Sequence, residues 1–165
     1  MSSAAVHNEM LRRRPDLVSE LYRPLAWDRR RPIGEGPGFF MSPVFSTHGG
    51  RLSARYGRSY IVSAQRHPEA PRLDRAQVEA LDLFDELTSL PELQLDMKFE
   101  PGDIQLLNNY VVLHSRAEYE DYDEPERKRD LIRLWLTLRE YYELAPEFAA
   151  AGLTPRSAAF TEGNP

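Results

Sequence analysis

The residue types able to do chemistry crowd into residues 99–138. One apolar segment ends in His114, Ser115 and Arg116, and the next begins with Arg127, Lys128, Arg129 and Arg133. Neutral imidazole is the commonest metal ligand. A guanidinium offers a carboxylate a planar pair of donors. The combination predicts a site that handles a metal ion, an anionic ligand or both. Period-two alternation sets Arg129, Leu131, Arg133, Trp135 and Thr137 on one strand face, opposite an almost wholly apolar one. Positions 129 and 133 then lie roughly 13 Å apart, so long side chains can converge on one ligand. The plainer alternative pairs these arginines with Glu118, Glu120 or Asp121 and leaves His114 as a hydrogen-bonded structural residue.

The elements that must position these groups can be read in order. Residues 3–14 read as a helix capped by Ser3, with Val6 and Met10 on one face. Pro15 opens a second, short helix with Leu17, Leu21 and Tyr22 inward, and Pro24 ends it. Trp27 precedes Arg29-Arg30-Arg31, read as a solvated run of charge. Residues 39–47 read as a strand that turns at Gly49-Gly50 and returns over 51–56. Tyr56, Arg58 and Tyr60 alternate along what would be one extended face. Residues 74–90 form the clearest helix, capped by Asp74, with Val78, Leu81, Phe84 and Leu87 recurring at three and four. Strands are expected at 93–99, 104–107, 111–114 and 129–139, with a tight turn at Pro101-Gly102-Asp103. Short strands among helices imply an α+β chain with a β-sandwich or jelly-roll core and helices packed outside it.

Bulk properties narrow the function. The chain has 165 residues, enough for one domain. It has no cysteine, which removes disulfides, thiolate metal sites and Cys nucleophiles. Any metal must be held by His and carboxylates. A formal net charge of −5 argues against a nucleic-acid partner. No apolar run is long enough to cross a bilayer, and no signal-type segment opens the chain, so a cytoplasmic protein without a membrane partner is expected.

Taken as an ordered set, Gly102-Asp103, Asn108-Asn109, His114 and then Arg129 and Arg133 resemble the C-terminal half of the taurine dioxygenase-like (TauD/TfdA) family. These are Fe(II)- and 2-oxoglutarate-dependent oxygenases. The segments SAAVHNEM, LRRRPDLVSELY and RYGRSYIVSAQR also look like this family, so the resemblance covers most of residues 2–140. It implies a partial double-stranded β-helix (jelly-roll) core with flanking helices. It implies residues 1–142 as the C-terminal part of the oxygenase domain and 143–165 as a surface tail. It assigns His114 as the distal histidine of the iron site. Arg129 would hold 2-oxoglutarate, with Arg133 as a second basic position. Tyr56, Arg58 and Arg116 become candidates for lining the pocket of a small-molecule substrate.

The resemblance also implies a His-x-Asp or His-x-Glu pair upstream of His114. His67-Pro68-Glu69 has that form, but it stands in a Pro-rich linker after the segments that should follow such a motif; His7, in His7-Asn8-Glu9, and His48 read as surface or capping residues. The chain is therefore expected to be half of such an oxygenase, beginning at an internal start. Exposed sheet edges are expected to drive aggregation or homo-oligomerisation. The alternative function is a non-catalytic, carboxylate-binding interaction module that uses Arg129 and Arg133.

Overall fold

The fold begins with a serine that caps a helix. In the computed structural model, which describes residues 1–31, 36–116, 118–134, 136 and 143–149, Ser2 accepts a hydrogen bond from the Ala5 N–H and starts α1 (Ser3–Arg13). The expected cap, Ser3, is instead buried, and its hydroxyl donates to the Val111 carbonyl at 3.0 Å. Helix α2 (Pro15–Tyr22) follows, with proline at its first turn and Leu17, Val18 and Leu21 buried. Helix α4 (Arg75–Thr88) is capped reciprocally. Asp74 accepts from the Gln77 N–H at 2.8 Å, and the Gln77 side chain accepts from the Asp74 N–H at 3.1 Å. Its inner face of Leu81, Phe84 and Leu87 packs against Val6 and Met10 of α1 and Leu17 and Leu21 of α2.

Two antiparallel ribbons complete this core. Strand β1 (Leu25–Asp28) pairs with β2 (Phe39–Ser42), and β3 (Phe45–His48) pairs with β4 (Arg51–Ala54). The second ribbon turns at Gly49 and Gly50, with φ of 55° and 73°, the left-handed pair that a two-residue hairpin requires. The expected single strand over 39–47 is two strands with different partners. Pro43, which has no N–H to give a ladder, stands between them. Strand β1, which the sequence does not announce, ends at Asp28, directly before the charged run Arg29-Arg30-Arg31. Tyr56, Arg58 and Tyr60 do not share an extended face, because Gly57 starts α3 (Arg58–Ala64).

The mixed helix-and-sheet class is as expected, with small antiparallel sheets. The four downstream strands are not. Residues 93–99 and 104–107 form no ladder, and 111–114 contribute one bridge, Ser2 to Val112. Residues 129–134 and 136 are not strand, and the rest of 129–139 lies outside the described residues. Alternation is real there, but its apolar side chains face water: Ile104, Leu106 and Ile132 are 87%, 81% and 83% exposed. A strand pattern specifies side-chain faces; it forms a strand only when another edge supplies hydrogen bonds. Among the described residues no such edge reaches these segments. Residues 143–149 dock on the core: Phe148 in α5 (Pro146–Ala149) is 1% exposed, and the Ser46 hydroxyl donates to Glu147 at 2.9 Å. No helix among the described residues is long and apolar enough to cross a membrane.

A buried carboxylate ties β1 to α3. Asp28, 2% exposed, accepts from the Arg30 N–H at 2.6 Å and from Arg66 Nε at 2.8 Å. Arg30 reaches it through a left-handed backbone, φ 53°. Burial, the largest single influence, pushes the carboxyl up. The Arg30 N–H, Arg66, Ser63 and His67 together outweigh it and hold the pKa at about 2. His67, 5% exposed, packs so tightly on Gly38 that a Cβ there would run into its ring.

Two measurements check these anchors. Asp74→Ala removes the reciprocal cap and lowers unfolding free energy in urea by about 1 kcal/mol. Asp28 has a depressed folded pKa, so its contribution is complete above its ordinary value of 3.8 and is lost as pH falls towards 2. Asp28→Asn should cost about 2 kcal/mol at neutral pH and flatten that acid limb. An unchanged acid limb in the variant would remove Asp28 as its cause.

Candidate functional site

The segment leading to His114 is held by the first residues of the chain and by the end of β4. The Leu113 N–H donates to the Met1 carbonyl at 3.0 Å, and the Ser3 N–H donates to the Val111 carbonyl at 3.0 Å. The Ala54 N–H, at the end of β4, donates to the Tyr110 carbonyl at 2.8 Å. Behind them the Asn108 side chain accepts from the Tyr110 N–H, and its carbonyl accepts from Val111 and Val112, making a tight turn. This tether stops at Leu113. His114, Ser115 and Arg116 follow it directly and are exposed.

The acidic loop after His114 folds around Tyr119. The Arg116 guanidinium carbon lies 4.7 Å from the Tyr119 ring centre, and that of Arg129 lies 5.4 Å from the same centre. Two of the residues singled out in the sequence, from opposite sides of the loop, are therefore brought to one aromatic ring. Asp121 helps by accepting from the Arg129 N–H at 2.9 Å. Arg116, Glu118, Tyr119 and Glu120 line an open cleft of about 530 Å³. Neither Arg129 nor Arg133 forms an ion pair with Glu118, Glu120 or Asp121, and both are exposed. Arg127 is occupied differently, over Tyr122 at 3.9 Å and against Glu124 at 3.5 Å. Tyr119 carried no signal in the sequence beyond lying in a Tyr-rich loop.

Tyr56 and Arg58 lie against α4. The Tyr56 hydroxyl donates to Asp85, and its ring stacks on Phe84 with centres 3.9 Å apart. Burial, then the Asp85 carboxylate, push the phenol well above its ordinary value. Arg58 pairs with Asp82 at 2.7 Å and Asp85 at 3.2 Å. Both side chains are thus engaged in holding α3 and α4 together, and neither is among the residues lining the cleft at Tyr119.

Iron, as the resemblance implies it, needs several ligands in a fixed geometry. Among the described residues no group of three or more His, Cys, Asp or Glu is arranged to hold a metal ion. His7 Nε2 lies 3.1 Å from the Tyr22 hydroxyl, and His48 Nε2 lies 3.7 Å from Glu143. His67 does meet a carboxylate, but it is Asp28 at 3.5 Å, already clamped by Arg66, while Glu69 is exposed. The described residues do not by themselves fit an iron site.

Comparison with known proteins supplies the frame for these residues. The family described as "Taurine catabolism dioxygenase TauD, TfdA family" matches residues 1–135. FR-33289 synthase of Streptomyces rubellomurinus is 34% identical over 144 residues, covering 83% of this chain and 41% of that protein. The taurine hydroxylase-like protein SAT17 of Stachybotrys chartarum is 32% identical over 136 residues, covering 81% of this chain and 34% of that protein. The chain thus spans well under half the length of either relative. With the match running unbroken from the capped first helix through His114 to Arg133, the chain belongs to the TauD/TfdA dioxygenase family.

Proposed function

We propose that this chain supplies the C-terminal, co-substrate-binding part of an Fe(II)- and 2-oxoglutarate-dependent oxygenase acting on a small molecule. His114 contributes one iron ligand. Arg129, with Arg133 as second cation, receives the distal carboxylate of 2-oxoglutarate. The remaining iron ligands come from residues that this chain does not provide. The observation that carries the reading is the family match over residues 1–135, which takes in His114, Arg129 and Arg133 together. Geometry supports it: Arg129 shares Tyr119 with Arg116, the second residue after His114, so cation and imidazole belong to one loop system. The Arg129 guanidinium is exposed and pairs with no carboxylate among the described residues. The names of the two relatives, a synthase and a hydroxylase-like protein, agree with oxygenase chemistry.

A second reading keeps the same arginines and drops the iron. In it the chain is a carboxylate-binding module, as the unpaired cations beside Tyr119 alone would allow. Calorimetry on the chain separates the two. 2-Oxoglutarate should bind, and Arg129→Gln should weaken it by about tenfold, the loss of roughly 1.4 kcal/mol. If anaerobic Fe(II), added together with polypeptide that supplies the other ligands, tightens binding in the wild type and not in His114→Ala, the oxygenase reading stands. Binding that ignores iron with that polypeptide present selects the module, and binding unchanged in both Arg129→Gln and Arg133→Gln overturns both readings.

A further inference from the structure

A second group of cations, apart from those the proposed function uses, gathers on Phe40 of the β1–β2 ribbon. Arg29 directly follows β1, and its guanidinium carbon lies 4.9 Å from the centre of the Phe40 ring. Arg55 directly follows β4 and lies 6.0 Å from the same ring centre. Arg55 also covers Phe148 at 5.0 Å. Two guanidinium groups, from different ribbons, therefore share one half-buried aromatic ring.

Neither has a counter-charge among the described residues. Asp28, next to Arg29 in the chain, is taken by Arg66. Arg29 Nε is buried and has no hydrogen-bond partner among the described residues. Arg55 reaches only neutral groups: the Ser42 hydroxyl at 3.3 Å, the Phe148 carbonyl at 3.3 Å and the Tyr110 phenol. Burial pushes the Arg55 guanidinium below its ordinary value. A guanidinium stays charged in proteins and presents five donors. It is rarely buried without a partner. Stacking on Phe40 offsets part of the desolvation, but it satisfies no N–H and neutralises no charge. Like charges held on one ring repel each other, and a bound anion would relieve both deficits.

We propose that Arg29 and Arg55, gathered on Phe40, form a binding site for the oxyanion group of a small molecule. The planar fork of each guanidinium suits a carboxylate, a sulfonate or a phosphate. Phe40 gives the body of such a ligand an apolar surface to rest on. The site uses none of His114, Arg129 or Arg133, so its failure would leave the oxygenase reading untouched.

Trp27 is a built-in reporter. Its indole stacks on Phe40 with centres 6.1 Å apart, and its N–H donates to the Ser42 carbonyl at 2.8 Å. Proton–nitrogen NMR of the chain, titrated with acetate, methanesulfonate and inorganic phosphate at constant ionic strength, reads the site directly. At least one probe should shift the Trp27 indole and the Arg29 and Arg55 Nε–H signals saturably, at about millimolar concentration. The probe that does so identifies the oxyanion. Arg29→Gln should weaken it by about tenfold or more, and Arg75→Gln, on the exposed side of α4, should not. Should Arg29→Gln fail to fold, Arg29→Lys, which keeps charge and loses the fork, should show the same weakening. Absence of saturable shifts with all three probes, or equal shifts in the Arg29 variants, overturns the proposal.

Discussion

The candidate site hangs on a short ladder between the first three residues and residues 111–113. Four hydrogen bonds of 2.9–3.0 Å join them, from the Met1 amine, the Ser3 N–H, the Ser3 hydroxyl and the Leu113 N–H. Sequence separations above one hundred residues make this the longest-range tie leading to the site. Such contacts carry the largest loop-closure cost, so they persist only where something rigid receives them. Here the receiver is the start of α1, buried at Ser3 and Val6 and packed through Met10 on α2 and α4. The helical half of the molecule therefore sets where His114 stands.

That rigidity comes from an aromatic seam. Phe45 of β3 meets His7, Tyr22 and Phe84, and Phe84 in turn stacks on Tyr56. Each ring comes from a different element, so the seam joins α1, α2, β3, α4 and the segment after β4. Offset and edge-on ring contacts add to plain burial in such a seam. Polar anchors close its edges. Asp28 holds β1 against Arg66 at the end of α3, and Asp85 receives both Tyr56 and Arg58.

Local signals were legible where the structure is local. The Asp74 cap, the Leu81-Phe84-Leu87 face and the Gly49-Gly50 turn each specify their element within a few residues, and each is found, although Val78 falls outside the buried face. Strand β1 was missed because four residues between Pro24 and a charged run show no alternation: all four are buried. Helix α3 was missed because RYGRSYIV alternates well enough to imitate a strand, and only Gly57 breaks the pattern. The downstream strands failed for a different reason. Leu95 and Met97, Ile104 and Leu106, and Ile132, Leu134 and Leu136 alternate correctly and are exposed. Their period describes a sheet face, and a sheet needs neighbours that no local pattern can supply. The meeting of Arg116 and Arg129 at Tyr119 was likewise beyond sequence reach, since it depends on how the loop between them closes.

The two deficits of residues 94–136 have the same form. Among the described residues, exposed alternating segments lack partner edges, and an exposed histidine lacks fellow ligands. Both concern groups whose physical chemistry demands company: backbone N–H and C=O that want a ladder, and an imidazole that binds iron weakly unless other ligands fix its geometry. Both also fall within residues that match a family whose members here are more than twice as long. Under the proposed function one addition answers both. Polypeptide that pairs with residues 94–107 and 131–136 would cover the apolar rows and bring carboxylate and imidazole groups up to His114. The exposed rows then belong to the site as much as Arg129 does, since the strands that bury them are the ones that complete it.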